Sequence, residues 1–136
     1  MTDDVLLNKA ATIERCVARA QQEYQAAGAG FTQDFTRQDA AILNLQRACE
    51  AAIDGGSHLV RRQALGAPQS ARDVFDLLVA AGQLDAPLGD VLKRMTGFRN
   101  ISVHDYQKIQ IPIVVAIITK HSDDLLSFAR RLIELS

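Results

Sequence analysis

The stretch "TRQDAAILNLQRACEAAIDGGSHLVRRQAL", residues 36 to 65, indicates the fold class of this 136-residue chain. Its apolar residues recur every three or four positions, which is the spacing of one face of an α-helix. They are Ile42, Leu45, Cys49, Ala52, Ile53, Leu59 and Val60. The "TRQD" at its start is typical of a helix N-terminal cap. We therefore predict a helix from residue 36 to about Leu65.

Other segments repeat this helical spacing on both sides of that stretch. A first helix is predicted over residues 3 to 25, and the glycines of "AAGAGF" end it. The sequence "SARD" at 70–73 begins a third helix, which Gly82 stops. A fourth helix follows "LDAP" and includes Leu88, Val91, Leu92 and Met95. A long fifth helix carries Ile113 to Leu135, with Pro112 at its first position.

The composition agrees with an all-α protein. Aromatic residues make up only 5% of the chain, Trp is absent, and strong helix formers dominate. The economical packing for such helices is an antiparallel bundle of four to five helices, and 136 residues match the usual size of one domain. We expect a single domain over residues 1–136.

Charge and cysteine usage exclude several classes of function. Fifteen basic and sixteen acidic residues give a net charge of -1, so any polyanion must be bound locally. No stretch approaches the roughly 20 apolar residues that span a bilayer, and we predict a cytoplasmic protein. Cys16 and Cys49 lack metal-ligand spacing, which favours buried small hydrophobes over a disulfide or zinc site. We expect no metal and no cofactor.

The stretch "GFRNISVHDY", Gly97 to Tyr106, concentrates polar groups suited to chemistry. Arg99 and His104 are five residues apart, which would separate them by about 140° on a helix. A bend between Gly97 and Pro112 would let them converge, so we predict a site on a turn. Arginine offers a planar charged fork for phosphate, and histidine exchanges protons near neutrality. Together they suit phosphodiester chemistry.

Spacing alone favours a simpler interpretation of the same segment. Arg99 would form a surface ion pair, and Asn100 would cap a helix. His104 would be a half-buried, hydrogen-bonded histidine, and Tyr106 would belong to the core.

A family resemblance strengthens the functional interpretation. The sequence "RNISVHDY" resembles the Arg-x4-His-x-Tyr motif of HepT-type toxins in the HEPN superfamily. "AIDGGSHLV" resembles the family's Asp-x-x-x-His-Leu segment, although "GSHL" stands where the family has "ANHL". "SARDVFDLLVAAGQLDAPLGDVLKRMTGFRN" is similar to the run that precedes the motif. The resemblance covers roughly residues 36 to 115, and a motif in such context is far more specific than the motif alone.

The resemblance implies a definite activity. Toxins of this family are helical bundles that form homodimers, join two motifs in one cleft, and cleave cellular RNA such as mRNA or tRNA without a metal. His104 would be the general acid and base, Arg99 would hold the scissile phosphate, and Asn100 would orient the site. Tyr106 would accept AMP from a nucleotidyltransferase antitoxin, and this AMPylation would silence the toxin.

Asp54 and His58 are further candidates. They lie four residues apart on one helix face, so they could line the cleft, or they could form a structural pair. Gly55 and Gly56 between them weaken a helix interior, which indicates close approach of another backbone or a ligand.

The sequence therefore leaves three hypotheses for the function. The first is a toxin ribonuclease of a toxin–antitoxin system. The second is a non-catalytic HEPN-like module that binds nucleotide or substrate and assists a nucleotidyltransferase. The third is a structural bundle that only mediates association. The presence of both Arg99 and His104 favours the first hypothesis, because binding alone needs no proton transfer.

Overall fold

The protein is a bundle of α-helices in a computed structural model that describes residues 2–136. The helices are α1 (Asp4–Ala27), α2 (Phe35–Arg62), α3 (Ala71–Ala80), α4 (Ala86–His104), α5 (Ile111–Ala116) and α6 (Ser122–Glu134). A π-helical turn, Ile117–His121, joins α5 to α6 without a break, so five helical rods result, as predicted. Within residues 2–136 there is no strand, and no helix is long and apolar enough to cross a membrane.

The ends of α2 differ slightly from the prediction. The capping residue is Asp34 and not Thr36, since its carboxylate accepts a hydrogen bond from the Arg37 N–H at 3.0 Å. At the other end Ala64 takes a positive φ of 53°, and the Leu65 N–H bonds back to the Val60 carbonyl at 3.0 Å. This reversal ends α2 at Arg62, before the predicted Leu65.

Helix α4 is longer than predicted and carries the polar motif. Its start is capped by Asp85, whose carboxylate accepts from the Leu88 N–H at 2.8 Å. Buried Phe98 and Ser102 extend its inner face past Met95, and the backbone leaves the helix only at Asp105. The prediction of a site on a turn was therefore wrong, because Arg99 and His104 both lie on regular helix. The bend falls after Asp105, and Pro112 is the second residue of α5, not the first.

Two apolar clusters hold the bundle together. The larger one joins α1, α2, α3, α4 and α6, and contains the edge-to-face pair Phe75 and Phe128, whose ring centroids are 5.7 Å apart. The second one joins α2 to α4 and α5 through residues that include Phe31, Leu45, Phe98 and Val114. This second cluster fixes the helix that carries the motif.

The two cysteines are buried and free, as predicted. Cys16 belongs to the larger apolar cluster and Cys49 to the second one. Burial, followed by the negative charge of Glu50, raises the pKa of Cys49 to about 12. Both thiols thus act as small apolar side chains.

Gly55 and Gly56 are sites of close approach, but the approaching groups differ from the predicted backbone or ligand. A Cβ on Gly55 would lie 2.8 Å from Cδ1 of Leu132, and one on Gly56 would lie 2.8 Å from Cγ1 of Val74. The approaching groups are side chains of α6 and α3, and not a backbone or a ligand. The two glycines let these helices pack closely on α2.

Candidate active site

Arg99 is held in place by side chains from two helices. Its Nε lies 3.4 Å from Oε1 of Glu50 on α2, and its Nη1 donates a hydrogen bond to Oδ1 of Asn100 at 3.1 Å. Among residues 2–136, Nε is the buried side-chain polar atom without a hydrogen bond, so its contact with Glu50 is electrostatic. Arg99 also lines a surface depression of about 300 Å³ together with Glu50, Ile53, Asp54 and Ala71. The guanidinium is thus oriented and partly accessible.

His104 is the last residue of α4 and is exposed. Within the described chain its ring forms no hydrogen bond, so it is accessible to a substrate. Five residues along a helix correspond to about 7.5 Å of rise and about 140° of rotation. A single chain therefore directs Arg99 and His104 to different sides of α4, and Asn100 lies between them on the helix surface.

Tyr106 lies just past α4 on a short 3₁₀ turn, Tyr106–Lys108. Its hydroxyl donates a hydrogen bond to the carboxylate of Asp39 on α2, and the residue is 43% exposed. Partial burial, followed by the hydrogen bond and negative charge of Asp39, raises the pKa of Tyr106 to about 12. Tyr106 and Asp39 share a depression of about 360 Å³ with Phe35, which is 72% exposed. The hydroxyl is therefore held at the surface in its protonated form.

The simpler interpretation of the segment fails at three of its four residues. Arg99 does form an ion pair, with Glu50. Asn100, however, lies inside α4 and caps nothing. His104 is exposed instead of half-buried, and Tyr106 lies outside both apolar clusters.

Asp54 and His58 do not pair with each other. Nε2 of His58 lies 2.7 Å from Oδ2 of Asp3, which also accepts from Nη1 of Arg62 at 2.9 Å. Burial opposes ionisation of Asp3, but the hydrogen bonds from His58 and Arg62 lower its pKa below the ordinary value. Because Asp3 also caps α1, His58 joins the start of α1 to α2.

Asp54 lies nearer to the motif than His58. It forms a 3.6 Å contact with Lys9, its side chain is 60% exposed, and it borders the depression that contains Arg99. Of the two candidates, only Asp54 borders the depression that contains Arg99.

An apolar groove of about 550 Å³ runs beside the motif, between α4 and α5. Ile101 and Pro112 line it, together with Ile113, which is 49% exposed. Exposed aliphatic side chains concentrated in this way are typical of an interaction surface.

Sequence reasoning missed Asp39 and Glu50. Both are distant in the chain from the residues they contact, and Asp39 lies 67 positions before Tyr106. No local spacing signals such contacts. Within residues 2–136, no group of three or more His, Cys, Asp or Glu side chains is arranged to hold a metal ion.

The chain is similar to several known proteins. Residues 13–132 match the family model described as "Ribonuclease HepT-like". The chain is 52% identical over 126 residues to the mRNA nuclease HepT of Shewanella oneidensis, covering 93% of this chain and 94% of that protein.

Solved structures extend the likeness to the fold. One is a tri-AMPylated Shewanella oneidensis HEPN toxin in complex with MNT antitoxin, with a TM-score of 0.91, 48% identity, and coverage of 99% of this chain and 100% of that chain. Another is a toxin–antitoxin structure with AMP-PNP, with a TM-score of 0.89, 48% identity, and coverage of 96% and 99%. The Bacillus subtilis protein YutE, at 20% identity, a TM-score of 0.72 and coverage of 92% and 88%, shares the fold alone.

Proposed function

The chain belongs to the HepT-like ribonuclease family, and from this premise we propose that it is the toxin of a toxin–antitoxin pair. In this proposal it cleaves cellular RNA without a metal ion and is silenced by transfer of AMP to Tyr106. The observation that carries the proposal is the arrangement on α4. Arg99 is oriented by Glu50 and Asn100, while the exposed ring of His104 has no partner in the described chain.

The proposed chemistry is an internal transfer at one phosphodiester. His104 takes the proton of a ribose 2′-hydroxyl, and the 2′-oxygen bonds to the adjacent phosphorus. The bond from phosphorus to the 5′-oxygen breaks. That oxygen leaves with a proton supplied by the imidazolium form of His104. Arg99 stabilises the negative charge that develops on the phosphate oxygens, and Asn100 keeps its guanidinium oriented. The products are a 2′,3′-cyclic phosphate and a 5′-hydroxyl.

We further propose that the working unit is a homodimer. One copy separates Arg99 from His104, whereas two copies packed through the groove beside α4 would bring two motifs to one cleft. Exposed Ile101 and Ile113 supply the apolar contact.

Sedimentation velocity at micromolar concentration tests the homodimer. The wild type should sediment as a dimer, and Ile101→Asp should sediment as a monomer and lose RNA cleavage, because a buried unpaired charge is costly. Ile133→Asp is the matched control, since Ile133 is equally exposed at 43% but lies on α6, outside the groove. A wild type that is monomeric at this concentration contradicts the proposal.

The proposed regulation acts on Tyr106. Its hydroxyl is held at the surface, within reach of a nucleotidyltransferase antitoxin, which is the partner we infer. An added AMP would place bulk and negative charge next to the motif, where it would repel an RNA phosphate. Action on cellular RNA places the protein in the cytoplasm.

The second candidate function is a non-catalytic module that binds nucleotide or substrate for the partner enzyme. Such a module needs Arg99 to bind phosphate but makes no use of a free imidazole at His104. The two functions therefore differ in what they require of His104.

The test compares the wild type, His104→Ala and Arg99→Lys on total cellular RNA in excess EDTA. His104→Ala should lose cleavage by a factor of about 10² to 10⁴ while RNA binding stays nearly unchanged. Arg99→Lys should also cleave poorly because it loses the planar fork, whereas Arg130→Lys on α6 should behave as wild type. Circular dichroism on the same samples verifies folding. Absence of cleavage by the wild type supports the binding module, undiminished cleavage by His104→Ala contradicts the role of His104, and cleavage that EDTA abolishes contradicts the metal-independent reaction.

A further inference from the structure

The carboxylate of Asp39 accepts a hydrogen bond from the hydroxyl of Tyr106. Asp39 lies near the start of α2 and is exposed, and within residues 2–136 it forms no ion pair with a lysine, arginine or histidine. Its hydrogen-bonding contact is with the Tyr106 hydroxyl. A carboxylate without a cation, bonded to one specific hydroxyl, is therefore the feature to be explained.

We propose that Asp39 is a catalytic residue of AMP transfer to Tyr106. This inference rests on the proposed function, in which Tyr106 accepts AMP from a nucleoside triphosphate bound to the partner enzyme. Asp39 orients the hydroxyl and accepts its proton while the phenolic oxygen forms a bond to the α-phosphorus. The bond between the α-phosphorus and the bridging oxygen breaks, pyrophosphate leaves, and Asp39 then releases the proton to solvent.

The geometry fits this role in two respects. A phenol is protonated near neutral pH and is a weak nucleophile in that form, so its attack requires a base in contact with its proton. The Asp39 carboxylate is the base in contact with that proton. It is held on helix α2, while Tyr106 lies on a short turn. Moreover, both residues line an open depression of about 360 Å³, so a triphosphate can approach the oxygen from solvent.

The test measures transfer of labelled AMP from ATP by the nucleotidyltransferase partner to the full-length protein. Asp39→Asn can still accept a hydrogen bond but cannot take a proton, so its kcat should fall about 100-fold or more with KM for ATP nearly unchanged. The kcat of Asp39→Ala should fall at least as far. Asp39→Glu, which restores a carboxylate, should recover part of the rate. Asp123→Asn is the control, an exposed aspartate in the first turn of α6, and it should be modified at the wild-type rate. Circular dichroism and thermal melting establish that each variant is folded.

A Tyr106→Phe arm separates this inference from the proposed function. If Tyr106→Phe receives as much label as the wild type, the acceptor assignment itself is wrong. If Tyr106→Phe receives no label but Asp39→Asn is modified within about threefold of the wild-type rate, only the role of Asp39 is overturned, and the base belongs to the partner enzyme.

Discussion

The two halves of α2 both carry polar residues, but these residues contact different elements of the bundle. In the first half, Phe35 to Glu50, the carboxylates of Asp39 and Glu50 contact Tyr106 and Arg99 of the motif segment. In the second half, Ala51 to Arg62, His58 and Arg62 both bind Asp3 at the start of α1. What a polar side chain does on this helix is thus decided by the element that faces it.

Packing also differs between the two halves, and the second half is the more closely packed. Around Gly55 and Gly56 the side chains of Leu132 and Val74 approach so closely that a Cβ would collide with them. The first half is more open, since Asp39 is exposed and Leu43 is 42% exposed. Apart from Asp54, which borders the depression that contains Arg99, we therefore expect substitutions in the second half to change stability and substitutions in the first half to change activity.

The largest expected effect is on stability, at Gly56. Gly56→Ala should lower the free energy of unfolding by about 1–3 kcal/mol, because its Cβ would lie 2.8 Å from Cγ1 of buried Val74 and force the core to shift. Gly30→Ala is the control, since nothing lies within 4 Å of its added Cβ. Urea unfolding measures both. A stability of Gly56→Ala equal to that of the wild type would contradict the view that the second half is closely packed.

The second effect concerns RNA binding and the first half of α2. Glu50→Gln should tighten RNA binding roughly 2–5-fold at low salt, because the carboxylate 3.4 Å from Arg99 offsets part of the charge offered to phosphate. Binding is measured by fluorescence anisotropy in the His104→Ala background, so that RNA stays intact. The gain should shrink as salt increases, and Glu14→Gln on α1 should show none. Weaker binding by Glu50→Gln would mean that orienting Arg99 matters more than its charge.

The smallest effect is spectroscopic and concerns Tyr106. Its pKa is raised from 10.0 to about 12 by partial burial and by Asp39, so the folded protein holds this proton more tightly than the unfolded chain. The corresponding stability is complete below pH 10 and is lost as the pH rises towards 12. The difference between the ultraviolet titrations of the wild type and of Tyr106→Phe isolates this ionisation. Asp39→Asn should move the ionisation of Tyr106 to lower pH. An unmoved titration would show that Asp39 does not influence the hydroxyl.

Much of the helical pattern was predictable from apolar spacing and end signals. Ser70 caps α3 and Gly82 follows it with a positive φ of 73°, as the local sequence indicates. The end of α4 was not predictable, because Gly97, Asn100 and Ser102 weaken a helix locally. Burial of Phe98 against α2 and α5 supplies the missing stabilisation, and such tertiary contacts do not show in a short window.

Some residues of the candidate site could likewise be predicted from the sequence, and others could not. Arg99, His104 and Tyr106 fall within ten residues, so a local motif identifies them. Asp39 and Glu50 approach these residues only when α2 packs beside α4, and their own neighbours in the sequence form no motif. The structural role of His58 was hidden for the same reason, since its partner Asp3 lies 55 positions away.

The contacts of Arg62 bear on the order in which the chain assembles. Its guanidinium donates to Asp3 across 59 positions and to the carbonyl of Leu135 across 73 positions, at 2.9 Å and 2.8 Å. Closing such long loops costs entropy, whereas the turns within each helix form from near neighbours. We therefore expect these bonds to form late in folding, after the transition state. Bonds of that kind slow the opening of the native bundle more than they hasten its formation.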